Sequence, residues 1–359
     1  MRKTRFITLF LIMFLSLTIY ESAKAQMRLF PAKGKQTHTL VIYSSTDVDR
    51  IRPLIEAFQK RAPGIAIAYH DLGTAEIFRR VTGEIDAGRQ SADLLLSSAM
   101  DLQIKLVNDG YGRTHFSTNA TTLPAWARWR NEAFGFTFEP AVIVYNRALA
   151  PELAAIRTRF QLANALAAPE SRLKGRIATY DPARSGLGYL FGTQDAIRSE
   201  DFWYLARSMG DAGVRQMTSS GAMIDAVARG EVLLAYNVLG SYALARTREN
   251  ADLAITILQD YTLVLSRIAV ITKTARNPAT AGRFIDFLLS RQGQTLIAGP
   301  ASLYAIRNDI SGTATASALE QAGGGALIPI RPGPGLLVYL DRLKRRDFLS
   351  RWQRSMQGE

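Results

Sequence analysis

Short apolar runs alternate with helical faces along most of this chain, and that alternation confines it to a layered α/β fold. Residues 40–43 read as a strand, and Val48, Ile51, Leu54, Ile55 and Phe58 then recur at helical spacing. Ala62-Pro63-Gly64 ends that helix, and residues 65–69 read as the next strand. Asp71-Leu72-Gly73-Thr74 opens a helix with Ile77, Phe78, Val81 and Ile85 inward. Residues 93–96 form a third strand, and Ser97-Ser98 opens a short helix over 102–107. An order of this kind predicts parallel strands with helices on both faces of the sheet. Residues 134–138 and 142–145 are again strand-like, and a second series starts at 176–180. Apolar runs at 231–236 and 262–271 and a helix from about Pro278 through 284–289 complete the pattern. No repeat and no low-complexity linker separates the two series. The expected fold is therefore α/β, with two Rossmann-like lobes joined by hinge strands.

Composition narrows the chemistry. The chain has no cysteine and three histidines, His38, His70 and His115. Disulfides, cysteine-ligated zinc or iron–sulfur centres and a cysteine nucleophile are thereby excluded, and the histidines lack HxH or HExxH spacing. Lys and Arg number 44 against 31 Asp and Glu, a formal net charge of +13. Such a charge suits an acidic solute, an anionic membrane or nucleic acid. The basic residues are scattered, however, apart from Lys344-Arg345-Arg346. That cluster lies among Leu336, Leu340, Leu343, Leu349, Trp352 and Met356, a helical pattern expected to pack on the core with its charged face solvated. Nucleic acid is not an expected partner.

The first residues read as a leader. Arg2, Lys3 and Arg5 precede an apolar run over 6–20, and Ala23-Lys24-Ala25 supplies the small-residue cleavage pattern. The run is shorter than the ~20 residues of a spanning helix. Cleavage near Ala25 and export to the periplasm are expected.

Enzyme motifs are weak. There is no G-x-S-x-G or S-x-x-K arrangement with a supporting histidine. Asp47, Asp71, Glu76, Asp101, Glu139 and Asp181 show no spacing that marks an acid–base pair, and Asp47 and Glu76 equally suit helix starts. Gly186, Gly188 and Gly192 give G-x-G-x-x-x-G without a following strand ended by an acid, so no nucleotide cofactor is expected. The chain reads as a binder without a cofactor or a resident metal rather than an enzyme.

In parallel sheets, ligands lie beyond the carboxyl ends of the strands. The loops there carry Ser44, Ser45 and Thr46, then Thr74, then Ser97 and Ser98, then Ser185 with Gly186, and then Thr218, Ser219 and Ser220. Each group stands where free N–H groups and the positive end of a helix can hold an anion, although each would equally serve as an ordinary N-cap. Arg184, beside Ser185-Gly186, has the chemistry of a bidentate clamp for phosphate or carboxylate. Arg267 is either a second such charge or a hinge ion-pair partner. Tyrosines 43, 145, 180, 236, 242 and 261 fall near strand ends and hinges.

Val41-Ile42-Tyr43-Ser44-Ser45-Thr46-Asp47 resembles the opening of type 2 periplasmic solute-binding proteins of ABC importers. The resemblance continues through Val142-Ile143-Val144-Tyr145-Asn146, through the stretch 235–242 that carries Asn237 and Tyr242, and through the late helical segment 277–294. Within that superfamily the chain is most similar to the branch binding ferric iron, phosphorylated sugars, phosphonates and phosphoglycerate. The iron site of that branch implies a His on the first loop, a carboxylate on the third and adjacent tyrosines in the second lobe. Here those positions read Ser45-Thr46, Ser97-Ser98 and Ser241-Tyr242.

The resemblance implies a leader over 1–25, a first lobe of 38–140 plus 263–305, and a second lobe of 146–260 plus 310–359. It implies a monomer that closes on a small anionic solute, a phosphorylated metabolite or a carboxylate, and delivers it to an inner-membrane ABC permease. The site expected comprises Ser44, Ser45, Thr46, Thr74, Ser97, Ser98, Arg184, Ser185, Gly186, Ser220, Asn237, Tyr242 and Arg267. Two other roles share the fold: capture of ferric iron or an iron–organic anion complex, and presentation of a ligand to a sensor kinase.

Overall fold

A computed structural model describes residues 26–322 and 325–358. The expected leader lies outside the described residues. Two mixed sheets carry the structure. The first runs Gln26–Phe30, Ile65–Asp71, His38–Ser44, Leu94–Ser97, Ile268–Thr272, Ala133–Gly135 and Arg128–Trp129, with Gly112–Arg113 also paired to Ile268–Thr272. The second runs Arg215–Met217, Ile177–Tyr180, Leu234–Leu239, Glu139–Asn146, Thr262–Leu265 and Leu327–Pro329, and Leu253–Thr256 pairs on Glu139–Asn146.

The expected βαβ pattern forms the middle of the first sheet. His38–Ser44 lies parallel to both Ile65–Asp71 and Leu94–Ser97. Helix Val48–Arg61 buries Ile51, Leu54, Ile55 and Phe58, the face that the spacing marks out. Lys60 and Arg61 stand in its last turn, where cations complement the helix dipole. Helix Thr74–Asp86 buries Ile77, Val81 and Ile85, while Phe78 is only half-buried.

Three features differ from the sequence reading. The edge strand Gln26–Phe30 pairs antiparallel with Ile65–Asp71 and precedes the expected start of the lobe at 38. Its Met27 and Leu29 are exposed, so it lacks the inward alternation that marks a strand in sequence. The apolar run over 262–271 is not one strand. Thr262–Leu265 pairs with Glu139 and Pro140 in the second sheet, whereas Ile268–Thr272 pairs with Leu94–Ser97 in the first. Finally, Ile310, Ala314 and Leu319 pack into the core of the first lobe rather than of the second.

The chain thus crosses between sheets at 136–138 and again at Ser266-Arg267, and the two crossings are bonded to each other. Phe136 N–H donates to Arg267 O at 3.0 Å, and Arg267 N–H donates to Thr137 Oγ1 at 2.9 Å. Gly135 leads into the first crossing because a Cβ there would lie 2.5 Å from Ser266 Oγ.

The C-terminal helix Arg342–Met356 packs on the second lobe through Phe348 and Trp352, with Trp352 stacked on Phe202 at 6.2 Å. Leu343 is exposed, against the expectation of an inward position. Asp341 caps this helix through Leu343 and Lys344 N–H, so Leu336 and Leu340 belong to a separate 3₁₀ segment, Pro334–Leu340, on a different register.

Candidate functional site

A cleft of about 460 Å³ lies between the sheets, and six helices begin on it. Helices Val48–Arg61, Thr74–Asp86 and Met100–Asn108 follow strands of the first sheet, and Gly186–Arg198, Ser220–Ala228 and Gly240–Glu249 follow strands of the second. Ser45, Asp47, Gly73, Thr74 and Ser98 line it from the first lobe. Ser185, Ser219, Ser220, Leu239 and Tyr242 line it from the second.

The capping of these helices is uneven. Ser185 and Ser219 bond back to their own helices, at Gly188 N–H (3.1 Å) and Ala222 N–H (3.2 Å). Asp47, Gly73, Ala99 and Leu239, at the other four starts, make no side-chain cap bond. Of the six α-helices that begin away from the cleft among the described residues, those starting at Arg159, Arg291, Ala316 and Arg342 have one, and those starting at Asp201 and Pro278 do not. Four of these six uncapped starts therefore face the cleft, and at the first of them Val48 N–H is already engaged by the Asp71 carboxylate.

Hydroxyls fill the space between those starts. Ser98 N–H donates to Ser45 Oγ at 3.1 Å, and the two hydroxyl oxygens are 3.3 Å apart. Ser220 Oγ accepts from Leu239 N–H at 3.0 Å and lies 2.5 Å from Tyr180 Oη, so it ties three elements of the second lobe together. Tyr242 Oη accepts from Asp47 N–H at 3.4 Å, a bond made from one lobe to the other. Burial raises the phenols of Tyr180 and Tyr242 above the usual range and keeps both neutral.

The charge on the walls is acidic. Asp47, Asp71 and Glu76 line the first-lobe side, and no lysine or arginine is among the lining residues. Burial pushes the Asp71 carboxyl up to about 6, and the neighbouring Asp47 adds to the shift against the opposing pull of Val48 N–H and Arg267.

The structure brings Ser45, Thr74, Ser98, Ser185, Ser220 and Tyr242 of the expected site to this cleft and places the others elsewhere. Ser44 and Ser97 each sit one residue before a cleft-facing serine and turn inward, where they accept Thr46 N–H (3.0 Å) and Ala99 N–H (3.2 Å). Thr46 is buried and accepts from Arg267 Nη1 at 2.9 Å. Arg184 is exposed and off the cleft wall. Gly186 faces the opposite lobe at close range rather than the cleft. Asn237 donates to Asp195 at 2.7 Å inside the second lobe. Arg267 is fully buried behind the cleft, with Nε on Glu139 Oε1 at 3.1 Å, so of its two expected roles the hinge ion pair is the one the geometry forms.

Asp47, Asp71, Glu76, Tyr180, Leu187, Thr218 and Ser219 also line the cleft; all but Leu187 stand out in the sequence as loop polar residues, candidate acids or strand-end tyrosine, but none belongs to the expected site set. Most carry the same signal as the serines, a polar residue at a strand's carboxyl end before a helix. The acids are set apart from ordinary helix-start charges only by what faces them.

The chain matches the family profile described as bacterial extracellular solute-binding protein over residues 40–299. No curated protein matches it. Among solved structures, a substrate-binding protein of an ABC transporter from Agrobacterium tumefaciens is 40% identical, with a TM-score of 0.86 over 92% of this chain and 98% of that one. Iron-bound HitA from Pseudomonas aeruginosa is 20% identical, with a TM-score of 0.71 over 89% of this chain and 99% of that one. The periplasmic binding protein AfuA from Actinobacillus pleuropneumoniae, with fructose 6-phosphate bound, is 18% identical, with a TM-score of 0.74 over 90% of this chain and 99% of that one.

Proposed function

The chain belongs to the bacterial extracellular solute-binding proteins, and we propose that it is the periplasmic component of an ABC importer that closes two lobes over a small solute bearing an acidic group. One observation carries this reading. Six helix starts, three from each lobe, open on one cleft, and four of them lack a side-chain cap. Such starts offer N–H donors and the positive ends of helix dipoles to an anion. Ser45, Ser98 and Thr74 add hydroxyl donors that reorient to suit it. Closure is a hinge motion about the paired crossings at 136–138 and Ser266-Arg267, and it excludes water from the bound group. The closed protein then presents its solute to an inner-membrane permease. The chain acts as a monomer, and no catalytic step is assigned to it.

The deciding measurement is thermal unfolding of the chain from Gln26 onward with sugar phosphates, phosphoglycerates, phosphonates, di- and tricarboxylates, inorganic phosphate, and ferric iron with and without citrate. AfuA and HitA motivate the sugar phosphate and iron arms. A solute at 100 times its dissociation constant stabilises by about 2.7 kcal/mol, or roughly 5 °C in midpoint for a chain of this size. A shift with an organic acid is the expected result. A shift with iron alone replaces this reading with an iron carrier, and no shift at all overturns it.

A further inference from the structure

We propose that the solute is an amino-bearing acid, with its acidic group at the helix starts and its ammonium group against Asp47, Asp71 and Glu76. This deepens the reading of the cleft as a solute site and rests on it. The walls are electrically unequal. The first lobe contributes three carboxylates, while the second contributes Tyr180, Ser185, Leu187, 218–221, Leu239 and Tyr242, none of them charged. Among the described residues, none of the three carboxylates stands in an ion pair. The buried cation behind them, Arg267, gives its Nε to Glu139 and its Nη1 to Thr46, and acts on Asp47 and Asp71 only through space.

All three acids stand at helix starts, two of them by their place in the chain. Asp47 is an N-cap residue and Glu76 lies in the first turn of Thr74–Asp86, both places where an acid complements the dipole. Asp71 is different. It ends a strand and is half-buried, it accepts from Val48 N–H at the neighbouring helix start, and its charged neighbours are Asp47 on the cleft wall and Arg267 buried behind it. Two like charges in a partly desolvated wall repel each other, and a cation placed between them reverses the sign of that interaction. A solute that is anionic throughout meets this wall unfavourably, which disfavours di- and tricarboxylates. A solute with an ammonium group at one end and a phosphonate, phosphate or carboxylate at the other is complementary to both sides.

The test uses matched probes by calorimetry on the same protein. β-Alanine, 2-aminoethylphosphonate and phosphoethanolamine are compared with analogues in which hydrogen or hydroxyl replaces the amine. The expected result is that one amino compound binds at least 30-fold more tightly than both its analogues, and that Asp71→Asn removes most of that preference. Thirty-fold is the low end for taking one partner from a desolvated charge pair. Glu76→Gln, a second variant with little burial at stake, is expected to reduce the preference in the same direction. The three amino compounds separate the carboxylate, phosphonate and phosphate sources of the acidic group. If an analogue lacking the amine binds as tightly, the ammonium assignment is overturned while the acid-binding cleft stands. The same holds if a sugar phosphate or dicarboxylate binds and no amino compound does. Silence from every acid tested overturns the underlying reading as well.

Discussion

The side chains of Arg267 and Glu139 meet at 3.1 Å from opposite crossings of the chain between its two sheets, and both are fully buried. Arg267 also donates to Thr46 Oγ1 at 2.9 Å, so one guanidinium joins both crossings to a loop beside the cleft. Removing either partner leaves an uncompensated charge in the hinge. Arg267→Met or Glu139→Gln alone is therefore expected to destabilise by about 3–5 kcal/mol in urea unfolding. The double variant Arg267→Met with Glu139→Met is expected to lose less than the sum of the single changes. A loss below about 1 kcal/mol for the single variants contradicts a structural hinge pair.

Gly186 opens a helix of the second lobe directly against the first. A Cβ added there would lie 2.8 Å from Thr74 Oγ1, 3.0 Å from Leu102 Cδ1 and 3.4 Å from Ala99 Cβ. Gly186→Val is therefore expected to hold the lobes apart while leaving each lobe folded. Solute affinity should fall at least tenfold, small-angle scattering with solute should report a more open particle, and the ligand-free midpoint should stay within about 1 kcal/mol of the parent. Unchanged affinity shows that the close approach at Gly186 is not required for binding.

Ser45 holds the third loop of the first lobe through Ser98 N–H at 3.1 Å. Ser45→Ala removes that acceptor and is expected to cost about 1 kcal/mol of stability. It should also weaken solute binding, because the Ser98 N–H then loses its orientation toward the cleft wall. Ser44→Ala, one residue away, removes only an internal acceptor for Thr46 N–H and should leave affinity within twofold. Equal effects of the two substitutions on affinity contradict the assignment of Ser45 alone to the cleft.

Asp71 predicts a pH effect of defined sign. Its carboxyl is pushed up to about 6 from an ordinary value near 4, mainly by burial. The folded protein thus holds a proton that the unfolded chain has released across that interval. The Asp71 contribution to stability is greatest below about pH 4 and is lost as pH rises through about 6. Asp71→Asn should accordingly raise ligand-free stability at pH 7.5 by about 1 kcal/mol after solvent screening, and by nothing measurable at pH 4. Urea midpoints at the two pH values check this, and stabilisation of the variant at pH 4 alone contradicts it.

Local periodicity made the βα order legible, and with it the position of nearly every helix start. Helical spacing at Val48, Ile51, Leu54, Ile55 and Phe58 and apolar runs before polar loops are short-range consequences of backbone geometry, which sequence records directly. The run over 262–271 shows the limit. Its composition suits a strand throughout, and only pairing with Glu139–Asn146 on one side and Leu94–Ser97 on the other divides it between two sheets. The paired serines show the same limit at the site. Ser44 and Ser45, like Ser97 and Ser98, are chemically identical neighbours, and a period of two sends one of each pair inward.

What the sequence alone determined is the class of fold, the loops that line the cleft and the hydroxyl character of those loops. Each follows from residues within one turn or one strand of each other. The tertiary structure decided the charge of the cleft. Arg184, adjacent to a helix start, is exposed, and Arg267, far from any, is buried in the hinge with Glu139. Asp71 acquires its neighbour Asp47 from another strand's loop. Electrostatic environment depends on distance and burial across elements remote in sequence, and those quantities exist only once the two lobes are packed.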